Sequence, residues 1–389
     1  MITRGIPEPQ DPQWGCFEKD QAEALAALGH KVVCLSVDGR FRPYWRKLGT
    51  THTTINGVEY YNWYMMPLRP LSMIDRRLTD KYIFHHSHQL FKKITKDHGK
   101  PDVIYAQWSQ NMITGIRLRE KYNIPVVGIE HAGRYGIDTK YHLFDTKYHL
   151  SKHDISKGEI VFRNINSLIT VSNNLKLGIK QRFGADSTVV HNLVGGEFQY
   201  HEPIKHNRFA FISVGSLVYG KGFDIVIAAL SKINSNTNIT INIIGEGPER
   251  NSLQKLINEN GLTNNVHLLG RKQKPEIVEL MRQSDAFVFG TRHENFSVAI
   301  LEALSQGLPS IVTDCGGARD CVDEKNGIIV DVDSVDQMAA AMQQMIDNID
   351  KYNRQAIADD FQQKFSSESI AKQITNVLES AIIKYNNRQ

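Results

Sequence analysis

The feature that most constrains this chain is an alternation. Short apolar runs rich in β-branched residues are each followed by a longer amphipathic stretch, in two successive series. Runs of the first kind fit strands buried on both faces of a parallel sheet, and stretches of the second fit the helices that cover it. In the first series the spacing predicts strands at Val32–Ser36, Val103–Ala106, Val126–Ile129, Leu168–Val171 and Thr188–His191. Helices are predicted over Phe17–Leu28, Ile74–Lys96, Met112–Tyr122 and Asn173–Phe183. The second series predicts strands at Phe209–Val214, Ile239–Ile244, Val266–Leu269, Ala286–Phe289 and Ser310–Thr313. Its helices cover Phe223–Ser231, Glu249–Asn260, Pro275–Gln283, Val298–Gln306, Val335–Ile346 and Ser367–Ile383. Two such series make an α/β chain of two doubly wound domains, and 389 residues exceed what one hydrophobic core usually supports. The polar stretch His201–Asn207 is the expected linker. Ligands of such sheets bind at the carboxyl ends of the strands, and in a two-domain chain in the cleft between them.

Other classes are excluded by what the chain lacks. No apolar run approaches the roughly 20 residues that span a bilayer, and the polar, proline-bearing Met1–Gln10 is no secretory signal. Cys16, Cys34, Cys315 and Cys321 stand at no zinc-like spacing and are too few for a disulfide scaffold, so a reduced, cytoplasmic protein is expected. A nicotinamide oxidoreductase would need a G-x-G-x-x-G opening a strand–helix unit, which is absent. No nucleic-acid reader module is recognisable either, so no nucleic acid is expected as a partner. Charge is uneven: residues 1–195 hold 27 Lys and Arg against 18 Asp and Glu, whereas the remainder carries an acidic excess. The two halves are therefore expected to meet different partners. Almost no strand precedes Arg4–Gly5, where such a domain normally opens with one, which suggests a natural start a few residues upstream. Asp138–Phe144 is nearly duplicated by Asp145–Ser151, too short a unit for a domain repeat.

The chemistry gathers in the second series. Gly215-Ser216-Leu-Val-Tyr-Gly-Lys221-Gly222 and Gly245-Glu-Gly247 follow predicted strands; glycine lets backbone N–H groups approach a ligand, and Lys221 adds the charge that a phosphate needs. The strongest signal is Glu294-Asn295-Phe296-Ser297-Val298-Ala-Ile-Leu-Glu302. Glu294 falls in a loop before a helix starting near Ser297, and Glu302 lies about one turn inside it. Between them are the free N–H groups of a helix N-terminus, around Phe296–Val298, an anion site by geometry and dipole. Two carboxylates beside such a site suit a ligand with hydroxyl-rich ends and an anionic middle. A nucleotide diphosphate sugar has that form, with Glu302 on the ribose and Glu294 on the sugar.

This arrangement resembles the Glu-x7-Glu signature of retaining glycosyltransferases of family 4, which have the GT-B fold: two Rossmann-like domains facing across a cleft. The likeness runs through nearly the whole chain in order. Trp14-Gly15-Cys16-Phe17-Glu18 is similar to the family's first glycine loop, and Glu130-His131-Ala132-Gly133 to the acceptor-domain active-site histidine. Val190-His191-Asn192-Leu193-Val194 is similar to the segment closing that domain, and Asp314-Cys315-Gly316-Gly317 to a later glycine pair. The resemblance implies an acceptor-side domain over residues 1–198, a donor domain over 199–366, and a terminal helix at 367–389 crossing back onto the first domain. It implies Glu294, His131 and Lys221 as catalytic residues, with base contacts from backbone near Gly270 and Arg271. The donor set is then Gly15, Gly215, Ser216, Lys221, Gly245, Gly247, Arg271, Glu294, Asn295, Phe296, Ser297, Val298 and Glu302.

The implied reaction is retaining transfer of a hexose-type sugar from the nucleotide diphosphate sugar, a co-substrate, to a glycan or lipid-linked acceptor in surface polysaccharide synthesis. Lys221, the helix N-terminus and the Gly15 loop would stabilise the leaving diphosphate, and Glu294 would offset charge on the sugar. No Asp-x-Asp motif appears, and no metal or other cofactor is expected. Adjacent His85, His86 and His88 point to different helix faces and make no metal set. Two departures stand out. The family usually has arginine after the first glycine of the Gly215 loop, where this chain has Ser216, with Arg292 as a candidate substitute; Gly195 replaces a usual aspartate. Ser216 keeps open a non-catalytic sugar-binding partner subunit, beside a GT-B phosphorylase or epimerase. Arg76, Arg77, Lys81, Lys92, Lys93 and Lys96 on the helix Ile74–Lys96 are where contact with the inner membrane is expected if the acceptor is lipid-linked.

Overall fold

The computed structural model describes residues 1–11, 14–40, 48–66, 76–136, 150–204, 206–233 and 238–387. Two sheets organise the chain. The first draws on Ile2–Thr3 (β1), Val33–Asp38 (β2), Gly49–Ile55 (β3), Val58–Tyr64 (β4), Ile104–Gln107 (β5), Val126–Glu130 (β6), Ser167–Thr170 (β7) and Thr188–Val189 (β8). Their order is β3-β4-β2-β1-β5-β6-β7-β8, parallel except where β3 runs against β4. The two-residue β1 sits mid-sheet, with Ile2 registered against Leu35 on one side and Ala106 on the other. Helices Cys16–Ala27 (α1), Arg76–His98 (α2), Trp108–Tyr122 (α3), Lys152–Asn164 (α4) and Asn173–Phe183 (α5) accompany it.

The second sheet comprises Phe209–Val214 (β9), Ile239–Ile244 (β10), Val266–Gly270 (β11), Ala286–Phe289 (β12), Ser310–Thr313 (β13) and Gly327–Val330 (β14). It is parallel throughout, in the order β11-β10-β9-β12-β13-β14. Its helices are Phe223–Leu230 (α6), Arg250–Glu259 (α7), Lys274–Arg282 (α8), Val298–Ser305 (α9), Val335–Asp347 (α10), Arg354–Phe365 (α11) and Ser367–Asn386 (α12). The apolar runs behave as parallel interior strands should: Phe287, Val288, Ile311 and Val312 are fully buried. Sheets of this topology change winding direction beside their central strand, which opens a crevice at the strand ends. In the first sheet that place is β1/β5, and in the second β9/β12; both crevices lie on the site described below. Helix α12 packs on α1, where Thr375 Oγ1 is 2.9 Å from His30 Nε2, and the Tyr385 hydroxyl reaches Asn123 (2.8 Å).

The sequence reading needs several corrections. Residues 49–64 form a hairpin that it passed over, turning at Asn56 (φ 49°) and Gly57 (φ 79°). Strand β14 and helices α4 and α11 were missed as well; α4 opens with a capping box between Ser151 and Asp154. The amphipathic face of α2 is internal: Leu90, Phe91 and Ile94 are buried against β2 and β4, while Lys81, Lys92, Lys93 and Lys96 face outward. Its outward side is basic, with Leu78 and Tyr82 also exposed, while the side chains of Arg76 and Arg77 lie outside what the structure describes. The near-duplicate at Asp138–Ser151 lies, up to residue 149, outside the described residues.

Candidate functional site

The site is built where the strand ends of the two sheets meet. Beyond β12 the chain runs through Gly290–Phe296 into α9, whose N-cap is the buried Ser297. Among the described residues no acceptor takes the N–H groups of Phe296, Ser297 or Val298, so this helix end presents bare donors and the positive end of its dipole. Glu294 and Glu302 flank it as the spacing predicts. Lys221, carried by the loop after β9, places Nζ 2.5 Å from Glu294 Oε2. The other Glu294 oxygen accepts the Asn295 N–H (3.1 Å), and the Glu294 N–H is directed at Cys315 Sγ (3.1 Å). Glu294 and Lys221 thus form an ion pair at this helix end.

The glycine loops have tight backbone packing of their own. Gly15 caps α1 at φ 75°, and a Cβ there would stand 2.3 Å from the Gly5 carbonyl oxygen. Gly245 takes φ 150° with its α-carbon against the Gly215 carbonyl, so the loops after β9 and β10 are pressed together. These positions must be glycine for packing alone. Ser216 stands exposed at the end of β9, and Arg271 is exposed just beyond β11.

Glu302 lies where α9 faces α1 of the other domain. Lys274 Nζ is 3.8 Å from Asp20 and 3.4 Å from Glu197, bridging the domains beside it. Burial pushes the Glu302 carboxyl up to about 8; Lys274 opposes the shift, and Asp20 and Glu197 add to it. If Glu302 holds ribose hydroxyls, as the resemblance implies, nucleotide affinity should rise between pH 7 and 9 as this carboxyl ionises into a stronger acceptor. Titration of a nucleoside diphosphate across that range should show a gain of about threefold to tenfold, lost in Glu302→Gln.

The first domain is tied into the same place. Asn295 Nδ2 donates to the His131 carbonyl (3.0 Å) and Ser172 Oγ donates to Asn295 Oδ1 (2.9 Å), fixing the residue after Glu294 across the cleft. Asn192 Nδ2 reaches the Phe296 carbonyl (3.4 Å), and His191 stacks on Phe296 at 4.5 Å. Glu130, fully buried, accepts N–H groups from Ser109, His131 and Ala132 (2.9–3.0 Å) and so shapes the turn that delivers His131. The His131 imidazole has Trp108 at 4.8 Å and, nearly parallel to it, Phe17 at 6.3 Å between ring centroids. Burial lowers its pKa to about 4, so it is neutral under ordinary conditions. Asn192 also faces the imidazole, and its side chain favours the protonated ring against the effect of burial.

Sequence reasoning missed Trp108, which begins α3 at φ 68°, a conformation that strains a bulky side chain and persists only where surroundings impose it. Its indole N–H donates to Glu18 (3.0 Å), and Arg4 both pairs with Glu18 (2.6 Å) and lies over the Trp108 ring (4.0 Å). It also misjudged Arg292. That side chain is 7% exposed and spent on Asp224 (2.7 Å), Asp333 (2.6 Å) and the Tyr219 carbonyl, so it does not replace the arginine missing at Ser216. His88 bonds the Tyr122 hydroxyl (2.7 Å), and His86 packs on Trp63. The metal-capable group found among the described residues is elsewhere, at His52, Glu59 and His98, whose side chains pair with one another and with Tyr61.

Residues 19–195 match the family described as glycosyltransferase family 4, and residues 197–359 match glycosyl transferases group 1. An uncharacterized glycosyltransferase of Methanocaldococcus jannaschii is 26% identical over 383 residues, covering 94% of this chain and 93% of that protein. Among solved structures, sucrose-phosphate synthase from Thermosynechococcus elongatus superposes with a TM-score of 0.76 at 16% identity, covering 95% of this chain and 93% of its own. Anabaena HepE, solved with UDP and glucose, gives 0.71 at 18% identity over 97% and 98%. At these identities the structures testify to the fold alone.

Proposed function

As a glycosyltransferase of the GT-B fold, with a family 4 domain followed by a group 1 domain, the chain supplies the premise from which we propose retaining transfer of a hexose-type sugar. The donor in this reading is a nucleotide diphosphate sugar, and the acceptor a glycan or lipid-linked glycan of surface polysaccharide synthesis. The observation that carries it is the pairing of Lys221 with Glu294 at the open N-terminus of α9, with His131 brought alongside by Asn295.

When the donor enters, its diphosphate competes for Lys221 and accepts from the N–H groups of Phe296–Val298. Glu294, released, turns to the sugar, while Glu302 takes the ribose hydroxyls. As the bond between the anomeric carbon and phosphate breaks, negative charge grows on the diphosphate, where Lys221 and the helix dipole stabilise it. Positive charge grows on the sugar ring, where Glu294 offsets it. The acceptor hydroxyl attacks on the face that the phosphate leaves and passes its proton to the departing phosphate oxygen, which retains configuration. These charges belong to the chain itself, and the proposal uses no metal ion. No helix among the described residues is long and apolar enough to cross a membrane. If the acceptor is lipid-linked, the exposed lysines of α2 supply the charge for an anionic surface.

The test is turnover. The chain should release nucleoside diphosphate from one class of nucleotide sugar, and proton NMR of the first product should show the donor's anomeric configuration. Inverted product would refute retention. Ser216 supplies a second check: it is exposed, so Ser216→Arg should tighten nucleoside diphosphate binding about tenfold, measured by calorimetry. No gain would mean that the diphosphate lies away from the Gly215 loop.

A further inference from the structure

Two imidazoles and a carboxylate converge at a place that the transfer mechanism does not use. In the hairpin, His52 registers opposite Tyr61 and Thr54 opposite Glu59, so these four side chains share one face of the β3–β4 ribbon. Helix α2 covers that face, where its His86 meets Trp63, and its last residue, His98, arrives beside Glu59 and His52. One ligand atom from each of His52, Glu59 and His98 lies within 4.8 Å of the others. The helix ends shortly before β5 begins, which puts the group at the amino ends of the strands, opposite the end that carries His131.

The group is held in shape from beneath. Tyr61, 2% exposed, stacks on His52 (4.1 Å between ring centroids) and meets His98 edge-on (5.7 Å). Its hydroxyl lies 2.9 Å from His98 Nε2 and donates to Asp97 Oδ2 (3.2 Å), while Thr54 Oγ1 donates to Glu59 Oε2 (3.0 Å). Each candidate ligand thus has an outer partner that sets its orientation, as the ligands of metal sites do. Donor atoms about 2.0–2.2 Å from a tetrahedral zinc ion stand about 3.3 Å apart, so side-chain rotation alone closes the set. His52 Nε2 and Glu59 Oε2, 2.6 Å apart, need to part by only about 0.7 Å. Two imidazole nitrogens and one carboxylate oxygen suit zinc, whereas calcium and magnesium take all-oxygen sets.

We propose that His52, Glu59 and His98 form a zinc site, with water as the fourth ligand, that clasps the edge hairpin to the end of α2. The ion takes no part in sugar transfer, and the inference is independent of the donor reading. What the clasp supplies is a cross-link. Its ligands come from β3, β4 and α2, and β3 stands at the end of the strand order, paired with β4 alone. The competing use of the same atoms is an ion pair between a protonated His52 and Glu59, which needs no metal.

The test is calorimetric titration of the metal-free full chain with zinc chloride near neutral pH. Wild type should bind one equivalent at micromolar affinity or tighter, and zinc at about a hundredfold its dissociation constant should raise Tm by about 5 °C. His52 is 43% exposed, so His52→Asn should keep the fold, which an unchanged Tm in EDTA verifies. That variant and Glu59→Gln should each weaken zinc at least about tenfold and lose the Tm shift. His85→Asn, in the histidine cluster of the same helix, should bind zinc as wild type does. Cobalt(II) in place of zinc should give wild type the strong visible absorption of a four-coordinate ion, and His52→Asn should lack it. Wild type that binds no zinc overturns the site. So does zinc lost in His85→Asn, or held equally by His52→Asn or Glu59→Gln, which would make it an adventitious ion only.

Discussion

Glu294→Gln is expected to lower sugar transfer by about a thousandfold while tightening nucleoside diphosphate binding about fivefold. The two effects have different causes. In the proposed mechanism Glu294 offsets the positive charge on the sugar, and groups stabilising transition-state charge in a closed site are worth about 10²–10³ in rate. Tighter binding follows from the resting ion pair. Lys221 is engaged with Glu294 before any ligand arrives, and both side chains are about one-quarter exposed. Such a partly solvated pair is worth up to about 1 kcal/mol, or fivefold in affinity. A neutral glutamine releases the ammonium without that cost, and the diphosphate gains the difference. Calorimetry with the diphosphate and a turnover assay with its sugar conjugate read the two effects separately. If the variant binds the diphosphate more weakly than wild type, the resting pair is not what the ligand must break.

Arg292→Met should act on stability and leave ligand binding nearly unchanged. The guanidinium is buried between Asp224 and Asp333, accepts no role at the phosphate site, and also holds the Tyr219 carbonyl at 2.8 Å. Removing one partner of a buried pair strands the other charges, at a cost of about 3–5 kcal/mol where burial is complete. Here the carboxylates are 40% and 31% exposed, which reduces the expectation to about 2–3 kcal/mol. In a domain of this size that is a fall of roughly 4–12 °C in Tm. Nucleoside diphosphate affinity, measured well below the transition, should change by less than about threefold. The reverse pattern, normal Tm and lost affinity, would make Arg292 the missing phosphate arginine after all.

The contrast between these residues shows what was legible in the sequence. Five of the six strands of the second sheet were read nearly to the residue, β14 being missed, because parallel strands buried on both faces leave unbroken runs such as Phe209–Val214 and Ile239–Ile244. Glu294 and Glu302 were legible for a related reason: eight residues across a loop and one helical turn fix two carboxylates about a helix end without any long-range information. The hairpin at residues 49–64 was readable and overlooked. Its threonine-rich alternation and the Asn56-Gly57 turn are a strong local signal, but they lie outside the strand–helix rhythm. Arg292 was misread because a sequence shows an arginine near a phosphate loop and not the two aspartates, 68 and 41 residues away, that consume it.

The contacts that Gln107 makes with Gln21 (2.8 Å) and with His131 (2.8 Å) were out of reach for a deeper reason. Gln21 and Gln107 are 86 residues apart, and an isolated glutamine in a helix or at a strand end carries no periodic signature. The same holds for Trp108, whose left-handed backbone is imposed by Glu18, Arg4 and His131 around it. Short-range pattern thus placed the two glutamates about the N-terminus of α9. The first domain's contribution depends on contacts among β1, β5, β6 and α1 that exist only after the sheet has formed.

The most direct test of the site is calorimetric titration of the wild-type chain and Glu302→Ala with UDP, GDP, ADP, TDP and CMP. Saturable binding of one nucleoside diphosphate by wild type, weakened at least tenfold in Glu302→Ala, is the expected result. Wild type that binds none of them, or a Glu302→Ala chain that binds the same one equally well, would contradict a nucleotide sugar seated on the N-terminus of α9.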